Sequence, residues 1–348
     1  MDPLPLQLRA EAHAARALMR LPTPAVLALA GGRPVERDGC VLDPRCQLLL
    51  ALAKRLGRGL EKLDEPIPEQ RRRMDHEAQV FAPRPPPIGS VYDVRVSERV
   101  TARVHRPLTA PRPSPAMVFV HGGGFVEGSL DSHEPIARAI AHGAGCVVIA
   151  VEYRLAPEHP FPAAADDVTE AFRWVVANAS RFGVDPDRVA IGGDSAGGNL
   201  SAVTALDTRG DRHRPCLQCL AYPMVDATQS FPSIQIMAEG FLLEKPRIDW
   251  FRARYAPRED QWTDPRLSPW FAADVSDAPP ALVQTAGFDP LRDEAEAYAL
   301  KLRDAGVTVT ARRYPSLIHG YLNMAGDIPA ARGALDDMIA ALRHAFAR

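Results

Sequence analysis

The residues Val189-Ala-Ile-Gly-Gly-Asp-Ser-Ala-Gly-Gly-Asn-Leu-Ser201 join a predicted strand directly to a predicted helix. At the junction stands Gly193-Asp-Ser195-Ala-Gly197, a GxSxG pattern that composition alone would produce about 0.06 times in this chain. A serine at such a junction lies on a tight, strained turn, and glycines two positions away on each side avoid collisions. The pattern favours a nucleophilic serine, and the alternative is a glycine-rich turn with an ordinary serine.

A second glycine motif, His121-Gly-Gly-Gly124, follows the predicted strand at 116–120. Chance predicts it only about 0.003 times. Three glycines allow backbone N–H groups to point into a cavity, as stabilisation of an oxyanion in acyl transfer requires. A phosphate-binding loop is disfavoured because no Gly-Lys-Ser/Thr follows. A dinucleotide fingerprint also fails, because Val148 stands where the third glycine after Gly143-Ala-Gly145 belongs.

From residue 89 onward, predicted strands alternate with predicted helices. Two β-rich runs, 91–96 and 100–105, are expected to pair antiparallel at a sheet edge. Six further strands are predicted at 116–120, 146–153, 188–192, 217–222, 281–285 and 307–314. Helices are predicted at 134–142, 163–178, 293–305 and 330–347. The pattern indicates an α/β fold with a doubly wound, mostly parallel eight-stranded sheet, helices on both faces, and chemistry at the carboxyl ends of the strands.

The chain divides into two regions. Residues 1–88 are predicted to be an N-terminal helical cap region, with a helix over 6–21 and another that begins at Asp43-Pro44. The first helix is expected to pack on the body or on a second copy of the chain, and a membrane-surface helix is the alternative. Residues 89–348 are the predicted catalytic domain. An insertion at about 227–262, rich in Met, Phe and Trp, is expected to pack with the N-terminal helices as part of the cap.

Composition bounds the function. The 348 residues carry 41 Lys and Arg against 43 Asp and Glu, a net charge of −2 that disfavours nucleic acid as a partner. No apolar run is long enough for a membrane span, and we expect no signal peptide and a cytoplasmic location. Five cysteines are too few for a disulfide scaffold. Cys216 and Cys219 fall in a predicted strand, so we expect structural thiols and no metal site.

A serine nucleophile requires a base that takes its proton. In this architecture the chain order is serine, acid, base, so the base should follow the last predicted strand. His319 lies in a loop just past that strand and is the predicted base. His213 precedes the predicted acid in a charged loop, and His344 lies within the terminal helix.

The acid should end the strand before the base. The run 281–288 leads straight into Asp289-Pro290, so Asp289 is the predicted acid. Asp293 and Glu294 are close, but they fall in the first turn of the next helix, where acidic residues are expected because of the helix dipole.

These motifs together resemble the hormone-sensitive-lipase-like family of α/β-hydrolases, in its GDSAG branch. The resemblance rests on HGGG at 121–124, YRLAPEHPFPAA at 153–164, GDSAGGN at 193–199, DPLRDE at 289–294 and His319-Gly320, and it covers roughly residues 80–340. The leading extension, residues 1 to about 38, is longer than in a typical member.

The resemblance implies a serine carboxylesterase that hydrolyses short- to medium-chain acyl esters, with Ser195, Asp289 and His319 as the triad. The implied oxyanion donors are the backbone N–H groups of Gly123, Gly124 and Ala196. The implied structural positions of the motifs are His121, Gly122, Glu158, Gly193, Asp194 and Gly197. No metal or organic cofactor is implied, and the implied partner is a small-molecule ester.

Alternatives remain at this point. An amidase, a deacetylase or another acyl hydrolase would use the same triad. A non-catalytic ligand-binding receptor on the same fold is disfavoured, because such receptors usually lose the base and His319 is present. A homodimer is the protein partnership that the additional N-terminal helix suggests.

Overall fold

In the computed structural model, the described part of the N-terminal region contains helices and one small hairpin. The structure describes residues 6–55, 57 and 63–347; residues 1–5, 56, 58–62 and 348 of the two predicted regions lie outside the described part. The described elements here are α1 (Leu6–Met19), α2 (Thr23–Leu29), β1 (Glu36–Arg37), β2 (Cys40–Val41), α3 (Pro44–Arg55) and α4 (Ile67–Glu77). The helix predicted over 6–21 ends at Met19, and α3 begins at the predicted Pro44. The hairpin β1–β2 was not predicted, because two-residue strands show no alternation.

Eight strands form one mixed sheet. They are β3 (Ser90–Arg95), β4 (Thr101–Arg106), β5 (Ser114–Val120), β6 (Val147–Glu152), β7 (Val184–Asp194), β8 (Gln218–Ala221), β9 (Ala281–Phe288) and β10 (Val309–Ile318). Their order across the sheet is β10-β9-β8-β7-β5-β6-β4-β3, with β4 antiparallel to both β3 and β6 and the remaining neighbours parallel. The predicted mostly parallel eight-stranded sheet with an antiparallel edge is therefore confirmed, although β7 begins at Val184 rather than at Arg188.

Helices cover both faces of this sheet. They are α5 (Leu130–Ala144), α6 (Ala163–Ala177), α7 (Ala196–Asp207), α8 (Ser233–Ile236), α9 (Lys245–Tyr255), α10 (Arg292–Asp304) and α11 (Pro329–Phe346). Met117 and Phe119 of β5 pack in a core cluster with residues of α5 and α11, whereas Val118 and Val120 pack with residues of α6 and α7. Because both faces of β5 are buried, its sequence is a continuous apolar run. None of the described helices is long and apolar enough to cross a lipid bilayer.

The insertion (residues 227–262) lies between β8 and β9 along the chain and contains α8 and α9. The indole N–H of Trp250 in α9 donates to the carbonyl oxygen of Leu63 at 3.1 Å, and Arg247 donates to Gln70 Oε1 of α4 at 2.8 Å. The insertion and the N-terminal region therefore touch each other.

The hairpin β1–β2 ties the leading segment to the end of the sheet. Asp38, between its strands, accepts a hydrogen bond from Arg292 Nη2 at 2.6 Å. The Arg292 side chain is only 4% exposed and also donates to the carbonyl oxygen of Gly287 in β9 at 3.2 Å. Asp43 N–H donates to the carbonyl oxygen of Ser316 in β10 at 2.9 Å.

Three carboxyl groups lie near one another at the start of α5. Asp75 accepts from the Ser129 hydroxyl at 2.5 Å, Asp131 accepts from Arg103 at 2.6 Å, and Glu152 accepts from Leu130 N–H at 2.9 Å. Burial raises the pKa of Glu152 from 4.5 to about 7, and the charges of Asp75 and Asp131 act in the same direction. Glu152 is therefore protonated more readily in the folded state than in the unfolded state.

This pKa predicts a pH dependence of stability. Because the folded pKa is the higher one, the contribution of Glu152 is fully present below about pH 4.5 and is lost as pH rises through about 7. Glutamine does not ionise, so this pH-dependent loss of stability is absent from Glu152→Gln. The amide oxygen still provides an acceptor for Leu130 N–H. The free energy of unfolding of the variant, measured by urea denaturation at each pH, should therefore rise relative to that of the wild type by about 2–3 kcal/mol between pH 5 and pH 8. A difference between Glu152→Gln and the wild type that stays constant from pH 5 to pH 8 would contradict the assignment.

Candidate active site

Ser195 stands on the turn between β7 and α7, as the GxSxG pattern predicts. Its backbone angles are φ 54° and ψ −119°, a conformation with positive φ that costs energy in a non-glycine residue. A Cβ at Gly193 would lie 2.0 Å from the carbonyl oxygen of Val120, and a Cβ at Gly197 would lie at the same distance from the same atom. Only glycine allows β5 to approach this turn so closely.

Ser195, His319 and Asp289 form a hydrogen-bonded chain. Ser195 Oγ lies 2.9 Å from His319 Nε2, and His319 Nδ1 lies 2.8 Å from Asp289 Oδ2. His319 directly follows β10 and Asp289 directly follows β9, so these neighbouring parallel strands present both groups at one edge of the sheet. In neutral His319, Nδ1 donates to the carboxylate and Nε2 is left to accept the proton of the hydroxyl.

The carboxyl group of Asp289 is fixed at both oxygens. It is buried, and its Oδ1 accepts the N–H of Leu291 at 2.9 Å while Oδ2 faces His319. The neighbouring acids serve other elements: Asp293 accepts Ser233 N–H at 2.9 Å, and Glu294 accepts Val225 N–H at 2.7 Å. Of these three acidic residues, Asp289 is the one that the structure gives as a hydrogen-bond partner of His319.

The glycine loop (residues 121–124) ends beside Ser195. Gly122 N–H donates to Asp194 Oδ1 at 3.0 Å and is therefore engaged. Within the described part of the chain, neither Gly123 N–H nor Gly124 N–H donates a hydrogen bond, and both residues have positive φ, 122° and 60°. Ala196 is the first residue of α7, where helix geometry leaves the N–H without an intrahelical partner. Three backbone donors are thus available near the serine.

His121 and Asp194 hold the glycine loop in place. His121 Nδ1 donates to the carbonyl oxygen of Gly122 at 2.9 Å, and its ring stacks on Tyr153 at a centroid distance of 4.4 Å. Burial lowers the pKa of His121 to about 3, so the ring is neutral. The pKa of the buried Asp194 is lowered, because the effects of His133, at 3.2 Å from Oδ1, and of Gly122 N–H outweigh the cost of burial.

Two further sequence predictions have definite places in the structure. Glu158 accepts from both terminal nitrogens of Arg71 in α4, at 2.9 and 2.7 Å, so it links the loop after β6 to the N-terminal region. His213, the rejected base, lies 2.8 Å from Asp187. Among the described residues, no group of three or more His, Cys, Asp or Glu side chains is arranged to hold a metal ion.

A narrow cavity of about 60 Å³ lies beside Ser195. Its lining is mostly apolar and comes largely from the insertion and the loop after β8, with Met224, Leu243, Ile248, Phe251 and Tyr255 among the contributors. At about 10–15 Å³ for each water-sized group, the cavity has room for a short chain of atoms.

The motifs did not reveal several residues that surround this site. The ring of Tyr222 lies 4.7 Å from that of His319, and His133 lies beside Asp194. Tyr222 directly follows β8, so the carboxyl-end rule could have suggested it. Nothing in the sequence pattern indicated His133, or Arg247 and Glu127, which pair across 120 positions of the chain.

The close approach of Val120 to the serine turn predicts a stability effect. Gly193→Ala should lower the free energy of unfolding by about 1–3 kcal/mol, because the new methyl group meets backbone that cannot move aside easily. Gly210→Ala is the matched control, since a Cβ at Gly210 meets nothing within 4 Å, and it should change stability by less than about 0.5 kcal/mol. Urea denaturation measures both, and equal stability of the two variants would contradict the observed packing.

Comparisons with known proteins agree with this geometry. A family model described as alpha/beta hydrolase fold matches residues 117–323. Carboxylic ester hydrolase LipN of Mycobacterium tuberculosis is 42% identical over 339 residues, 94% of this chain and 89% of that protein. An ethyl acetate hydrolase of Pseudomonas putida is 37% identical over 287 residues, 79% of this chain and 89% of that protein.

Solved structures agree as well. An ester hydrolase from the metagenome of Lake Arreo, complexed with a derivative of bipyridine phosphonate, superposes with a TM-score of 0.83 at 38% identity. The match covers 88% of this chain and 100% of that chain. The chain therefore belongs to the hormone-sensitive-lipase-like family of α/β-hydrolases, as its motifs predict.

Proposed function

We propose that this protein is a serine carboxylesterase that hydrolyses short- to medium-chain acyl esters through an acyl-enzyme intermediate. The observation that carries the proposal is the chain of hydrogen bonds from Ser195 through His319 to Asp289, beside the amides of Gly123 and Gly124, which donate to no acceptor among the described residues. The relatives named as a carboxylic ester hydrolase and an ethyl acetate hydrolase support an ester as substrate.

Acylation uses His319 first as a base and then as an acid. Ser195 Oγ attacks the ester carbonyl carbon while its proton passes to His319 Nε2, and the carbonyl oxygen becomes an oxyanion. The amides of Gly123, Gly124 and Ala196 donate to that oxygen, each worth on the order of 10²–10³ in rate. The bond to the alkoxy oxygen then breaks, His319 returns the proton to it, and the alcohol leaves.

Deacylation repeats these steps with water. A water molecule gives a proton to His319 Nε2 and attacks the acyl carbon, and the bond to Ser195 Oγ breaks as the serine regains its proton. Asp289 remains ionised throughout; it orients the ring through Nδ1 and stabilises the imidazolium. Its own second oxygen is held by Leu291 N–H, so the carboxylate cannot rotate away from His319.

The cavity beside Ser195 is the proposed acyl site. Its apolar lining suits a hydrocarbon chain, and its volume of about 60 Å³ suits a short one. We also propose that the insertion and the N-terminal region together form a cap over the site, because Leu243, Ile248 and Phe251 of the insertion line the cavity. A homodimer and a cytoplasmic location stay predictions from the sequence.

Removal of the nucleophile tests the proposed function directly. On p-nitrophenyl esters from acetate to octanoate, Ser195→Ala should lower kcat by about 10⁶-fold, as loss of a triad serine does. A fluorophosphonate probe should label the wild type at Ser195 and leave Ser195→Ala unlabelled. Turnover by Ser195→Ala at the wild-type rate, or labelling that persists in it, refutes the assignment.

Replacement of the proposed base and of the proposed acid tests the other two members of the triad. His319→Ala removes proton transfer, and Asp289→Asn leaves the imidazole without its orienting carboxylate, so both should lower kcat, the latter by about 10⁴-fold. Asp293→Asn is the matched control for the acid, since Asp293 accepts from Ser233 rather than from His319. Steady-state kinetics on p-nitrophenyl butyrate measures all three, and a larger loss for Asp293→Asn than for Asp289→Asn contradicts the choice of acid.

A further inference from the structure

The ring of Phe251 lies directly over the glycine loop. A Cβ at Gly124 would be only 2.3 Å from Phe251 Cγ, so ring and loop backbone are in contact. Phe251 also lines the cavity beside Ser195. One side chain of the insertion therefore touches both a proposed oxyanion donor and the wall of the proposed acyl site.

Arg247, one helical turn before Phe251 in α9, joins three parts of the chain. Its Nη2 donates to Glu127 Oε1 at 2.5 Å, and its Nη1 donates to Gln70 Oε1 of α4 at 2.8 Å. Its guanidinium carbon lies 4.7 Å from the centroid of the Phe251 ring and 4.6 Å from that of Trp250. The side chains of Arg247 and Glu127 are only 16% and 6% exposed, so water screens this ion pair weakly.

Glu127 is in turn bound to the glycine loop. Its N–H donates to the carbonyl oxygen of Gly123 at 2.9 Å, and a Cβ at Gly123 would lie 2.1 Å from the carbonyl oxygen of Glu127. Contacts thus run from Gly123 through Glu127 and Arg247 to Phe251, and from Phe251 back to Gly124. This path begins and ends on adjacent residues of the glycine loop.

Gln70 anchors the same arginine to the N-terminal region. Gln70 is 1% exposed, and its amide nitrogen donates to the carbonyl oxygen of Glu65 at 2.7 Å, which directs Oε1 towards Arg247. The Gln70 acceptor is therefore oriented by a hydrogen bond of its own side chain, and the Glu127 acceptor belongs to a residue whose backbone is bonded to the glycine loop. Displacement of α9 would leave a buried carboxylate without its partner, which is costly.

We propose that Arg247 is a positioning residue that holds the Phe251 ring against the glycine loop and thereby limits the length of the acyl chain that the cavity accepts. The inference rests on the proposed esterase function. When Arg247 loses its contact with Glu127, α9 and Phe251 can move outward. The cavity then lengthens, and one neighbour of the proposed oxyanion donors is lost.

The test compares acyl-length profiles. Wild type, Arg247→Met and Phe251→Ala are assayed on p-nitrophenyl acetate, butyrate and octanoate, with the active fraction of each protein titrated by a fluorophosphonate. Methionine keeps an unbranched side chain against the rings and removes the hydrogen bonds. The ratio of kcat/KM for octanoate to that for acetate should rise about tenfold in both variants, since one methylene of pocket fit is worth roughly 10–200-fold.

Two further variants separate the ion pair from other effects of α9. Glu127→Met, which removes the carboxylate acceptor, should give the same rise in the ratio, and combining it with Arg247→Met should add little, because both changes break one contact. Arg254→Met is the matched control: Arg254 lies on the same helix and stacks on Trp250 at 3.7 Å, while its hydrogen bond goes to the carbonyl oxygen of Trp250. Its ratio should stay within about twofold of the wild type.

The outcomes are distinct. If Phe251→Ala changes the profile while Arg247→Met and Glu127→Met do not, the positioning role of Arg247 is overturned. If every ester loses rate in the same proportion, Arg247 does not limit the length of the acyl chain and the proposal is wrong. Should Arg247→Met fail to fold, Glu127→Met alone decides. An absence of wild-type turnover, or turnover by Ser195→Ala, overturns the esterase function itself and with it this inference.

Discussion

Val120 is the last residue of β5, and its carbonyl oxygen occupies the space that a side chain at Gly193 or at Gly197 would need. This contact draws the end of β5 against the turn that carries Ser195. The glycine loop starts at the next residue, so its amides come to lie beside the hydroxyl. Asp194 reinforces the arrangement from the other side, because its carboxylate accepts Gly122 N–H.

The acid–base half of the site depends on a different regularity. β9 and β10 are parallel neighbours, and each ends one residue before a member of the proposed triad, so Asp289 and His319 meet without any special loop. Ser195 follows β7, and β8 separates that strand from β9. The imidazole of His319 bridges this gap between carboxylate and hydroxyl. Two sets of strand ends thus supply the two halves of the proposed proton path.

Much of this could be predicted from the sequence, for physical reasons. Buried parallel strands leave continuous apolar runs, and residues at their carboxyl ends share one edge, so Ser195, Asp289 and His319 could be placed together before the structure was known. Backbone contacts that require glycine leave a readable GxSxG. The hairpin β1–β2 left no such trace, because strands of two residues have no measurable period.

The contacts around Arg247 could not be predicted. Its two acceptors, Glu127 and Gln70, lie 120 and 177 positions away in the chain, and neither belongs to a motif. Their meeting depends on how α4 and α9 approach the glycine loop, which is decided by side-chain packing in the insertion and not by any repeat. The same holds for the pKa of Glu152, which is raised mainly by burial and further by the nearby carboxyl groups of Asp75 in α4 and Asp131 in α5.

The ion pair between Asp38 and Arg292 connects the leading segment to the start of α10. Arg292 opens α10, three residues after Asp289, where the helix dipole disfavours a cation. Asp38 and Asp293 supply its compensating charges, and Asp38 does so from 254 positions upstream. Removal of the leading segment would therefore expose Arg292, a cation within one turn of the proposed acid Asp289. A minimal version of the enzyme has to keep its beginning or exchange Arg292 for a neutral side chain.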